Sequence, residues 1–116
     1  MTLLRGNLTN EAKKLLTRIY NEVNKEIYGF GVTRLKIAEN DGAISVYVKH
    51  QRVAALKALE SRYGLMKQAV DYALHSEFKI RFHRKLEEDM GLQATAILRD
   101  YDPATEWAVT VVMLEP

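Results

Sequence analysis

Few side chains in this sequence could do chemistry, and their spacing limits what that chemistry is. Three histidines come first: His50, His75 and His83. A helical metal pair needs ligands about four residues apart, whereas His75 and His83 lie two turns apart with azimuths differing by about 80°. The chain has no cysteine, and no third histidine completes a site with that pair, so they read as surface histidines and no metal is expected. Asp100, Asp102 and Glu106 gather carboxylates as a calcium loop does, but such a loop carries a central glycine and sits between helices. Asp102-Pro103 instead supplies the first two residues of a turn. Gly29-Phe30-Gly31 has the order of a phosphate-binding turn reversed, since it leaves a helix and enters a strand. None of Ser45, Ser61 or Ser76 sits in a nucleophile elbow. These residues propose no reaction, so the chain reads as non-enzymatic and free of cofactors.

Lys49-His50-Gln51-Arg52 is the strongest candidate for binding. It joins the end of a strand to the start of a helix, where backbone N–H groups favour anions. Arg34 and Lys36, on the wet face of the neighbouring strand, extend the same positive surface. The expectation is a small-ligand or anion site built from Arg34, Lys49, His50 and Arg52, with a solvated loop as the plain alternative.

The elements that must position these residues follow from periodicity. Ala12, Leu15, Leu16, Ile19, Val23 and Ile27 mark one face of an amphipathic helix, capped by Thr9 or Asn10 and stopped by Gly29 and Gly31. Val32 to Glu39 and Ile44 to Lys49 alternate around Asp41-Gly42, the signature of a hairpin. A short helix is predicted from Gln51 to Glu60 and a long one from Leu65 to Met90. Met66, Val70, Leu74, Phe78, Phe82, Leu86 and Met90 recur every four residues on the long helix, a stripe that drifts about 40° per step. Such a stripe cannot face one sheet along its whole length. Two further strands, Leu92 to Tyr101 and Trp107 to Leu114, close the chain, and the second is apolar on both faces, which predicts a central strand covered on both sides. The order α-β-β-α-α-β-β gives an α+β fold, helices packed on a four-stranded, mostly antiparallel sheet.

The chain has 116 residues, 47% of them hydrophobic, and reads as one globular domain with a core over about residues 10–115. Scaling by mass expects about 6,500 Å² exposed after folding. No run approaches a membrane span and Met1 to Asn10 has no signal-peptide core, so the protein is expected in the cytoplasm without membrane insertion. Charge is uneven: seven basic against three acidic groups over 32–70, and five against nine over 71–116. The α-β-β-α-α-β order invites comparison with RNA-binding KH domains, but Arg62-Tyr63-Gly64-Leu65 lacks their GXXG clamp, leaving RNA binding a minor alternative.

Glu22-Val-Asn-Lys-Glu-Ile-Tyr28-Gly-Phe-Gly31, the strand pair after it, Leu98-Arg-Asp-Tyr-Asp-Pro103 and Trp107-Ala-Val-Thr-Val-Val-Met-Leu114 together resemble the MpsC-like family. This bacterial family is named for a component of the sodium-translocating membrane-potential-generating system, and the similarity spans about residues 10–115. Many members have a proline where this chain has Val32. The resemblance implies a small accessory or regulatory protein associated with a membrane cation or inorganic-carbon transport system, with no catalytic residues to carry over. A transporter subunit is then an expected partner. The drifting stripe and the two-faced last strand predict a homodimer through Phe78, Phe82, Trp107, Val109 and Val111.

Overall fold

Thr9 opens the first helix, α1 (Asn10–Tyr28), by accepting a hydrogen bond from the Ala12 amide at 3.0 Å, and Gly29 ends it at φ 87°. Of the expected stripe, Ala12, Leu16, Ile19 and Val23 are buried and Leu15 and Ile27 half-buried, and Tyr20 joins them in the core. Two asparagines fasten the turn that follows. Asn24 is fully buried and donates from Nδ2 to the Phe30 carbonyl at 2.8 Å, while the Asn21 side chain accepts the Val32 amide at 3.0 Å. A Cβ at Gly31 would stand 2.9 Å from Asn21 Oδ1, so only glycine leaves this bond intact.

The computed structural model describes residues 8–51 and 53–114. Beyond α1 the elements are β1 (Arg34–Asn40), β2 (Ala43–Lys49), α2 (Ala54–Leu59), α3 (Gly64–Met90), β3 (Ala96–Asp102) and β4 (Trp107–Met113). The fold is α+β in the order read from the sequence. Its four strands are ordered β1-β2-β4-β3 and every neighbour is antiparallel. Asn40 faces Ala43 across the Asp41-Gly42 turn, with Gly42 at φ 74°. No helix among the described residues is long and apolar enough to cross a membrane.

Alternation along the strands sorts their side chains onto two faces. Ile44, Val46, Val48, Ala108 and Val112 point into the core, where they meet Leu16, Ile19, Tyr20, Val23, Phe78, Phe82 and Leu86 from α1 and α3. β4 is central, as its apolar sequence predicts, but its expected double cover is met on one side only. Ala108, Thr110 and Val112 are buried, whereas Trp107, Val109, Val111 and Met113 are half-buried on a face that no helix among the described residues covers.

The long helix packs on the core along only part of its length, as its drifting stripe requires, and length is a further reason. Its 27 residues run about 40 Å, whereas a seven-residue strand runs about 24 Å. Only the C-terminal half finds a core: Phe78, Phe82, Leu86 and Met90 are buried there, and Leu65, Met66 and Tyr72 on the overhang are exposed. Phe78 and Phe82, predicted at a dimer interface, are fully enclosed inside the chain's own core, with Tyr20 at ring-centroid distances of 4.9 and 5.6 Å. They form no surface. The molecule measures 48 × 27 × 22 Å and exposes 7271 Å², more than its mass predicts.

A candidate ligand pocket under the overhang of the long helix

The space between the overhang and the end of the sheet is a cavity of about 220 Å³. Lys67, Asp71 and His75, four residues apart on α3, present one face to it. Tyr28 enters from the last turn of α1, His50 and Gln51 from the exit of β2, Leu56 from α2, and Tyr101 from β3. Lys67 pairs with Asp71.

His50 sits at the centre of this arrangement. Its amide donates to the Glu106 carbonyl at 3.1 Å, which fastens the β2 exit to the β3–β4 turn. The imidazole is 6% exposed and stacks between two tyrosines, with ring centroids 5.7 Å from Tyr28 and 4.8 Å from Tyr101. Burial, reinforced by the nearby Arg99 cation, lowers its pKa to about 4. The ring is therefore neutral at pH 7. Nδ1 lies 3.3 Å from the Gln51 carbonyl oxygen, to which it donates, and Nε2 is left as a buried acceptor without a hydrogen bond to any described residue. Burial and Arg99 also lower His75.

Arg99 is the residue that sequence reading missed. It shares the inward face of β3 with Ile97 and Tyr101, and simple alternation along that strand is the signal that places it there. All three guanidinium nitrogens are buried and make no hydrogen bond to any described residue. The group lies instead against aromatic rings, 3.7 Å from the Phe78 centroid, 5.8 Å from Tyr28 and 5.9 Å from Tyr20. Each such contact is worth about 0.5–2 kcal/mol, whereas desolvating a cation costs several. Arg99→Met keeps the length and removes the charge, so urea unfolding is expected to show a variant about 1–3 kcal/mol more stable than the wild type. A less stable variant would mean the cation is compensated.

The basic surface read from the sequence divides at the β2 exit. Successive strand residues point to opposite faces, so Lys49 goes to the open face of the sheet and His50 to the pocket. Arg34 pairs with Lys49 in register and joins it on the open face, where Lys36 and Lys49 lie 5.7 and 6.0 Å from the Trp107 ring centroid. His50, expected on a solvated positive loop, is buried because its ring fills the gap between Tyr28 and Tyr101. Arg52 lies outside the described residues. His75 lines the cavity, a departure from the surface position expected, whereas His83 Nε2 lies 3.1 Å from the Ala94 carbonyl oxygen. Asp102 does act in a turn: its side chain accepts the Thr105 hydroxyl at 2.6 Å and its carbonyl the Glu106 amide at 2.8 Å.

A scan against protein-family models finds no match for this chain, and searches of curated proteins and of solved structures find none either.

Proposed function

We propose that this chain is a non-catalytic accessory protein that binds a small anionic ligand in the His50 pocket and acts as a homodimer in the cytoplasm. The observation that carries the ligand reading is Arg99. An uncompensated cation behind the pocket wall puts a positive potential on the cavity, and its field reaches both His50 and His75. Buried polar groups without partners are rare in folded proteins, and a missing counter-ion is one of their ordinary causes. Binding is favoured over proton transfer because an imidazole titrating near 4 is a poor base at neutral pH. The resemblance to MpsC-like proteins supports placing this role beside a membrane cation or inorganic-carbon transport system. Recovery of such a transporter's integral-membrane subunit with the chain at native abundance tests that placement.

The ligand reading is tested by thermal unfolding with inorganic phosphate, bicarbonate and a set of nucleotides. A ligand at 100-fold over its Kd adds about 2.7 kcal/mol, roughly 10 °C in a domain of this size. His50→Leu and Arg99→Met should lose that shift, while Arg34→Ala and Lys49→Ala, on the opposite face of the sheet, should keep it. A wild-type midpoint unmoved by every member of the set sinks the reading.

A further inference from the structure

We infer that the open face of the sheet is closed by the same face of a second copy, with the two-fold axis running along the strands between β2 and β4. This rests on the homodimer of the proposed function and adds its face and orientation. The register lays the outward side chains in four rows across β1, β2, β4 and β3. They are Arg34-Lys49-Trp107-Asp102, Lys36-Tyr47-Val109-Asp100, Ala38-Ser45-Val111-Leu98 and Asn40-Ala43-Met113-Ala96. Cations thus stand on the β1 edge, with Lys49 beside them on β2, and carboxylates on the β3 edge, at the same end of the strands, with an apolar field of Trp107, Tyr47 and Val109 between and continuing beyond them. Tyr47 and Leu98 within that field are 42% and 55% exposed.

A two-fold axis along the strands exchanges the edges and keeps the rows. Arg34 of one copy then meets Asp102 of the other, and Lys36 meets Asp100. The apolar rows match by size: Leu98 falls on Ala38, Val111 on Ser45, Met113 on Ala43, and Val109 beside Tyr47. Large on small is how the inner faces of stacked sheets interdigitate, about 10 Å apart. A two-fold axis perpendicular to the strands would superimpose like edges and turn each charged end onto the neutral end. The face is therefore complementary to itself in one orientation. Four strands of seven residues make a patch of about 19 by 24 Å, at the small end of specific interfaces, so a micromolar dimer is expected.

The test is a charge exchange on the full chain. Sedimentation across about 1–200 µM should show a species near 27 kDa, about twice 13.3 kDa, and emission of the single tryptophan, Trp107, should shift to the blue as it forms. Arg34→Asp with Lys36→Asp makes both edges acidic, and Asp100→Lys with Asp102→Lys makes both basic. Each variant alone should associate at least about 100-fold more weakly than the wild type, and an equimolar mixture should recover the dimer. Recovery on mixing requires two folded chains, so misfolding cannot imitate it. If the chain dimerises and the exchanges change nothing, this face falls while the homodimer stands, and the α3 overhang becomes its interface. A wild-type monomer at every concentration overturns both. In a monomer, slow thiol labelling of Leu98→Cys, the one cysteine the chain would then hold, would assign the cover to the chain itself.

Discussion

Phe82→Ala is expected to remove about 3–5 kcal/mol of stability, much of what a domain of this size has. The ring is fully buried, and it closes a triangle with Tyr20 at 5.6 Å and Phe78 at 5.5 Å between α1, α3 and the sheet. Alanine leaves a cavity that neither helix can collapse into, because α1 is held by its turn bonds through Asn21 and Asn24 and α3 by Leu86 and Met90 further along. Phe82→Leu keeps most of the volume and should cost about 1–2 kcal/mol. The measurement is urea unfolding at several protein concentrations. A residue at a subunit interface gives a loss that depends on concentration, as the sequence-level expectation for Phe82 required. A core residue gives the same free-energy loss when the monomer is followed well below the dimer range, and that is the outcome the structure requires.

Acid should unfold this protein through His50. In the unfolded chain the imidazole takes a proton near pH 6.5, whereas in the folded chain it resists one until about pH 4. Between those values the unfolded state holds more protons, so stability rises with pH. It is intact above 6.5 and is lost as pH falls towards 4, by about 3 kcal/mol across the window. Tyr28 from α1, Arg99 and Tyr101 from β3, His75 from α3 and Glu106 from the β3–β4 turn are the titratable or charged groups around it. His75 acts in the same direction, since its pKa is lowered too. Carboxylates contribute their own acid dependence, so the readout is the difference between wild type and His50→Gln. That difference should grow as pH falls from 6.5 to 4, and a flat difference would show that His50 accepts its proton without unfolding. Arg99→Met should narrow the window, because burial is the larger cause of the lowered pKa and the cation the second.

What was legible in the sequence is what depends on neighbours along the chain. The helical stripe of α1, its cap at Thr9 or Asn10 and its glycine stop, the Asp41-Gly42 hairpin and the four strands all follow from periods of 3.6 and 2 and from turn chemistry. The two apolar faces of the last strand announced its central place. The same local logic would have put Arg99 inward with Ile97 and Tyr101, but charge is usually read as exposure, and that habit hides it.

Tertiary structure alone decided the rest. The pairing of β2 with β4 brings together residues about sixty positions apart, and no local period records it. That pairing makes the open face and sets its charged edges. The overhang of α3 exists because the helix is longer than the sheet beneath it, and it leaves the first half of the apolar stripe exposed or half-buried beside the pocket face of Lys67, Asp71 and His75 while the second half is buried. Lys49 and His50 are adjacent in sequence, yet one belongs to the sheet's open face and the other to the cavity. The sequence by itself specifies which side chains share a face of each element. Only the packed chain determines which faces meet, because burial, such as that of the Arg99 guanidinium among aromatic rings, is a property of the surroundings and not of the residue.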